Sequence, residues 1–150
     1  MADTFHNLNF HLIWSTKNRR PWITADIETR VWEYLAGVAH QKRMTPLCIG
    51  GFDDHIHALL RLPPNLDVSK AAQLLKGSSS KWIHETFPAL RDFAWQDGYG
   101  VFTVSKSAIP DVFAYIKNQR EHHAAKTFQE EFLEFLKKNE LEYREEYLWG

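Results

Sequence analysis

PLCIGGFDDHIHALLRL, residues 46–62, is a pair of apolar segments around two aspartates. It reads as two strands, 46–52 and 55–62, joined tightly near Asp53 and Asp54. Outward from this hairpin each flank carries a helix and then a strand. Upstream, NLNFHLIWST (7–16) alternates large residues at Leu8, Phe10, Leu12 and Trp14, the period of a strand, and runs into the basic loop KNRRPW. Between them Thr24 is expected to cap a helix reaching about Gln41, because Ile27, Val31, Tyr34, Leu35 and Val38 fall at helical spacing. Downstream, PPN breaks the pattern and Asp67 caps a second helix, with Val68, Ala71, Leu75, Trp82 and Ile83 inward. A loop with aromatic and glycine punctuation leads to the fourth strand, YGVFTVS (99–105). The order β-α-β-β-α-β predicts an α+β fold, the ferredoxin-like split βαβ arrangement, with an antiparallel sheet and two helices on one face. Two more helices follow, one opened by Ser107 with Pro110 in its first turn, the other by the Thr127–Glu130 capping-box signature.

Composition agrees with one compact domain over 1–150: 44% of the residues are hydrophobic, and the length is too short for two comfortable cores. The single cysteine, Cys48, cannot form an internal disulfide, and a buried thiol is the expected role. No apolar run approaches the roughly 20 residues of a membrane span, and the N-terminus lacks a basic leader, so a cytoplasmic protein without a membrane partner is expected. The net charge of −1 hides an asymmetry: residues 1–126 carry +3, and the acidic helical tail 127–150 carries −4. Basic clusters in the body could neutralise phosphates, although solvated faces explain them too.

Two features carry chemistry. His55 and His57 alternate on a strand, so their rings leave the same face with Cα atoms about 6–7 Å apart. Spacing alone leaves open whether they are half of a metal site or two satisfied core histidines. On the helix AIPDVFAYIKNQREHH (108–123), Gln119 lies about 40° and His122 about 20° from Tyr115 around the axis, so the three share a stripe beside the apolar face. Tyr115 is then either an amphipathic border residue or a nucleophile, and the latter needs a partner that stabilises developing charge. Tyr34, Tyr99, Tyr143 and Tyr147 have no ligand-type residue one turn away. His6, His11, His40 and His84 read as surface or satisfied structural histidines, and His122 and His123 stay outside the first set of ligands.

HIH before an apolar strand, LKGSSSKWI, WQDGYGVFTVS, YIKNQREHH and TFQEEFLEFLKKN, in that order, resemble the single-tyrosine HUH transposases of simple insertion sequences and their repeat-associated relatives. The chain departs slightly at 53–57, where the family usually has Pro-Asp before the first histidine and this sequence has DDHIH. The resemblance implies that His55, His57 and Gln119 hold Mg²⁺ or Mn²⁺ and that Tyr115 attacks a phosphodiester of single-stranded DNA. The products would be a 5′-phosphotyrosine and a free 3′-hydroxyl. It further implies hairpin-bearing DNA as partner and a homodimer with shared active sites. Lys76, Ser78, Ser79, Ser80 and Lys81 resemble the family's polar segment and, with Lys17, Arg19 and Arg20 from the basic clusters, are the candidate DNA contacts. Two other readings stay open: a metal-dependent phosphodiesterase using activated water, and a domesticated hairpin-binding module.

Overall fold

The structure, a computed structural model, describes residues 3–150. Four strands, β1 (Leu8–Ser15), β2 (Thr45–Phe52), β3 (His55–Leu62) and β4 (Gly100–Thr103), form one antiparallel sheet in the order β2-β3-β1-β4. This is the expected split βαβ topology. Helix α1 (Glu28–Gln41) joins β1 to β2, and α2 (Val68–Thr86) joins β3 to β4. Asp67 caps α2 as expected, its carboxylate accepting the Lys70 N–H at 2.6 Å. Thr24 is not the cap of α1: its carbonyl takes the Ile27 and Glu28 N–H groups in a preceding turn, and Ile27 stands at the cap position. The hydroxyl bonds Asp26 instead, a local choice that competes with capping.

The pleat sorts the central strands. Leu12 and Trp14 of β1 and Ile56, Ala58, Leu60 and Leu62 of β3 pack with Val31 and Leu35 of α1 and Ala71 and Leu75 of α2. The opposite set, His11 and Ile13 of β1 and His55, His57 and Leu59 of β3, faces the other way. That second face is also covered. Helices α3 (Ile109–Lys117), α4 (Gln119–His122) and α5 (Phe128–Lys138) lie over it, with Phe128, Phe132 and Leu136 around Ile13 and Phe102, and Ile116 against Cys48 and Leu59. Each such apolar side chain removed from water contributes about 1.5–3 kcal/mol. Cys48 is the buried thiol expected, and burial raises its pKa.

Two adjacent glycines fix how the second layer approaches. At Gly50 an added Cβ would stand 2.9 Å from Ile116 Cγ2 and 3.1 Å from its carbonyl oxygen, so β2 and α3 touch through the missing side chain. Gly51 takes φ +153°, and a Cβ there would meet the His55 carbonyl oxygen at 2.3 Å. The first lets the helix bearing Tyr115 lie against the sheet, and the second shapes the turn that delivers His55.

The tail does not hang free. Thr127 and Glu130 form both halves of the capping box of α5. Beyond a short helix α6 (Glu145–Leu148), Trp149 packs on Phe128 and Phe132, with ring centroids 6.4 and 6.1 Å away. The Gly150 carbonyl takes the Gly98 N–H at 3.1 Å, which ties α5 to the end of the sheet. No helix among the described residues is long and apolar enough to cross a membrane.

Candidate metal and tyrosine site

His55 and His57 are fully buried on β3, and their rings meet edge to face with centroids 5.1 Å apart. Each ring has one nitrogen occupied from behind. Asp54 Oδ1 lies 2.7 Å from His55 Nδ1, and His11 Nε2 lies 2.8 Å from His57 Nδ1. Both Nε2 atoms therefore point into the space under α3–α5. There His55 Nε2 is 2.8 Å from Gln119 Oε1, and His57 Nε2 is 3.0 Å from Glu131 Oε1.

Tyr115 and Gln119 do not lie on one uninterrupted helix, as the periodicity predicted. The chain breaks at Asn118 (φ −96°, ψ 19°), which ends α3 and starts α4. The stripe survives the break, because Gln119 Nε2 reaches back to the Tyr115 carbonyl at 3.4 Å while its oxygen meets His55. The Tyr115 ring stands 5.6 Å from the His57 ring of the same chain, and its hydroxyl donates to Glu131 Oε2. Nucleophile candidate and histidine pair are thus brought together within one subunit.

Glu131 is the residue the sequence reading missed. It is 1% exposed, on α5, and takes hydrogen bonds from Tyr115, His57 and Gln119 Nε2 (3.3 Å for the last). Its signal was present in TFQEEFLEFLKKN: Glu131 falls three residues after Phe128 and four before Phe135, at the edge of the apolar stripe where a carboxylate is costly without partners. His11, His122 and His123, outside the set of ligands expected from the sequence, also border the cluster. His11 is buried behind His57. His122 Nε2 is 3.2 Å from the Tyr115 hydroxyl, and His123 Nε2 is 3.2 Å from Glu131 Oε2. His84, in contrast, is a satisfied structural histidine, bonded to the Phe93 carbonyl.

The electrostatics follow from burial and this one carboxylate. Burial opposes ionisation of Glu131, but His57, His123 and His55 outweigh it and hold the carboxyl well below the usual carboxylate range. Burial and the adjacent Glu131 push the Tyr115 hydroxyl well above an ordinary phenol. Burial lowers His57 and His11. It works the same way on His123, where Glu131 prevails and the pKa rises.

A divalent cation fits this donor set. His55, His57, His123 and Glu131 each offer an atom, all within 4.8 Å of one another, and Gln119 adds an amide oxygen against His55. His123 Nε2 is buried and approaches Glu131 without hydrogen-bond alignment, so it has no hydrogen-bond partner among the described residues. Acceptor oxygens also face both nitrogens of His55. Buried oxygens outnumber the protons that neutral imidazoles supply, and a cation at the cluster answers both features.

A cleft of about 350 Å³ opens beside the tyrosine, between His11, Val112, His122 and Phe135. The candidate DNA contacts lie elsewhere and fare unequally. Ser79 is buried, its hydroxyl donating to the Leu75 carbonyl at 2.6 Å and accepting from Trp95 Nε1 at 2.9 Å, so it cannot hold DNA. Lys76 spans to the Asp97 and Gly98 carbonyls at 3.0 and 2.9 Å, and burial lowers its pKa to about 8. It lines a second groove, of about 560 Å³, with Ser80 and Tyr99. Ser78 is half-buried and Lys81 exposed on the same helix. Lys17 pairs with Asp97 at 3.6 Å, Arg19 lies over Trp149 and Arg20 over Trp22.

Comparison with known proteins places this architecture. Residues 4–119 match the family model described as Transposase IS200 like. The transposase for insertion sequence element IS200 of Salmonella typhimurium is 34% identical over 127 residues, covering 81% of this chain and 82% of that protein. The ISDra2 transposase TnpA of Deinococcus radiodurans is 25% identical over 121 residues, covering 77% and 86%. A crystal structure of a transposase from Deinococcus radiodurans superposes with TM-score 0.67 at 27% identity, over 79% of this chain and 95% of that one. A REP-associated tyrosine transposase, solved bound to a REP hairpin, shares the fold with TM-score 0.60 at 14% identity, over 82% and 74%.

Proposed function

Because the chain belongs to the IS200-like transposase family, and is accordingly a DNA transposase, we propose that it cuts and rejoins single-stranded DNA through Tyr115. The observation that supports this most strongly is the convergence, inside one chain, of the Tyr115 hydroxyl with His55, His57, Gln119 and Glu131. In the proposed step Tyr115 Oη attacks the scissile phosphorus and the bond to the 3′ oxygen breaks. The products are a 5′-phosphotyrosine and a 3′-hydroxyl, the 3′ oxygen taking a proton from solvent. Glu131 Oε2, already accepting from the hydroxyl, is the nearest acceptor for the tyrosine proton. Exchange of one ester for another lets a second 3′ end reverse the step without an external energy source. His55, His57 and Gln119, with Glu131, would hold Mg²⁺ or Mn²⁺, a choice that follows the mixed nitrogen and oxygen donors and the family resemblance. Such an ion supplies charge stabilisation to a phosphoryl oxygen.

The hairpin carried by the repeat-associated neighbour supports hairpin-bearing single strands as substrate, with the cleft beside Tyr115 receiving the scissile strand. The resemblance implies a homodimer with shared sites. Tyr115 lies against His57 of its own chain, so a site complete within one subunit is the alternative to a shared one. The test is incubation with hairpin-bearing single strands from the gene's flanks plus Mg²⁺ or Mn²⁺, followed by a denaturing gel. A covalent protein–DNA band is expected. Cleaved DNA without that band would mean attack by water, and binding without cleavage would mean a recognition module.

A further inference from the structure

We propose that His11 is a positioning residue that supplies the acceptor for a proton on His57 Nδ1 whenever His57 turns its Nε2 lone pair to the cluster. This rests on the reading of His57 as a metal ligand. The sheet register sets the pair: Ile13 is directly opposite His57, so His11 is its diagonal neighbour on the same face, a separation that long and aromatic side chains span. His11 Nε2 lies 2.8 Å from His57 Nδ1, the ring centroids are 5.0 Å apart, and Phe135 closes on His11 edge to face at 5.4 Å. Both imidazoles are buried, and among the described residues His11 Nε2 is the hydrogen-bond partner of His57 Nδ1.

A histidine can offer a lone pair at Nε2 only when its proton sits at Nδ1, and a buried Nδ1–H needs an acceptor. His11 Nε2 is that acceptor, which requires its own proton at Nδ1. His55 has a fixed acceptor in the same place, Asp54 Oδ1 at 2.7 Å. His57 has instead a neutral ring that can either accept or donate. It can therefore bond His57 in both tautomers, the one that donates to Glu131 and the one that turns a lone pair to the cluster.

The experiment measures metal affinity and tautomer, with no DNA present. Calorimetry gives the Mn²⁺ dissociation constants of the wild type, His11→Leu and His11→Gln. Long-range ¹⁵N–¹H spectra assign the His57 tautomer in the Mg²⁺-loaded wild type. Loss of the acceptor in His11→Leu should weaken Mn²⁺ about 10- to 100-fold, the usual cost of removing a ligand's hydrogen-bond partner. His11→Gln, whose amide oxygen reaches the position of Nε2, should stay within about threefold of wild type by the same reasoning. The loaded wild type should show His57 protonated at Nδ1. A folded His11→Leu protein with unchanged affinity, a Gln variant as weak as Leu, or His57 protonated at Nε2 in the loaded protein would each overturn the inference. Should His11→Leu fail to fold, the Gln variant and the tautomer still decide it. If the wild type itself binds no Mn²⁺, the metal reading falls and this one with it, an outcome distinct from the others.

Discussion

Replacing Glu131 with glutamine tests the site with little change of shape. The carboxylate is 1% exposed and takes charge-assisted hydrogen bonds from His57 and, at its other oxygen, from Tyr115. Such bonds contribute about 1.5–3 kcal/mol each, whereas removing one partner of a buried ion pair costs about 3–5 kcal/mol. Glutamine keeps an acceptor for Tyr115 and relieves the desolvation of the charge, so the net loss without metal should be about 1–3 kcal/mol. For 150 residues that is a fall in Tm of roughly 3–10 °C, readable by circular dichroism in chelator. With Mn²⁺ the variant should lose more, because the cluster surrenders its only buried anion; calorimetry should show affinity reduced at least about tenfold. Wild-type Mn²⁺ affinity in a folded Glu131→Gln protein would refute the place given to this carboxylate among the donors.

Tyr115→Phe should abolish the covalent adduct while leaving DNA binding within about twofold, and mass spectrometry mapping DNA to Tyr99 or Tyr143 would overturn the assignment. His57→Ala should lower Mn²⁺ affinity and cleavage together, and undiminished cleavage in excess chelator would exclude metal-dependent chemistry. Gly50→Ala drives a Cβ to 2.9 Å from Ile116 Cγ2 and 3.1 Å from backbone, so α3 must move: a loss of about 1–3 kcal/mol and of adduct yield is expected, checked by denaturant melts and gels. Burial depresses the folded pKa of His11, His57 and His122, so each contributes stability that is complete above the unfolded value near 6.5 and is lost as pH falls below it. His123, raised by Glu131, contributes in the opposite sense. Below about pH 6.5 three oppose one, so metal-free Tm should fall between about pH 6.5 and 5, and a flat or rising profile in that window would contradict the lowered histidines.

Most of the fold was legible because local signals agreed with one topology. The hairpin at Asp53 and Asp54, the Asp67 cap and the Thr127–Glu130 box each stand where turn and capping chemistry put them. The errors have the same kind of cause. Thr24 has the right side chain for a cap, yet its hydroxyl prefers the nearer Asp26. The break at Asn118 is invisible to periodicity, since a helix that stops and restarts in phase leaves the stripe intact. Ser79 looked like a surface hydroxyl because its role depends on Trp95, sixteen residues away, delivering an indole N–H to it.

The site was half legible for a reason that lies in the sheet. A split βαβ unit by itself leaves one face of the sheet open, and on an open face His11 would be solvated and His55 and His57 half-solvated. The helices after β4 close that face, and closure changes the chemistry: a histidine pair sealed from water must find acceptors or a cation, and Glu131 on α5 is what the sealing element supplies. The residues that match the family model end at 119, one helix short of Glu131. The motifs mark His55, His57, Tyr115 and Gln119; Glu131 lies inside the resembling segment TFQEEFLEFLKKN, but its role depends on His57, 74 residues away in the chain. Burial is the deciding quantity. The Tyr115 hydroxyl, pressed against an ionised Glu131 and pushed well above an ordinary phenol, is held protonated in the metal-free protein. Positive charge added to the cluster would oppose that bias, so a tyrosine acting as proposed would depend on a cation for its reactivity.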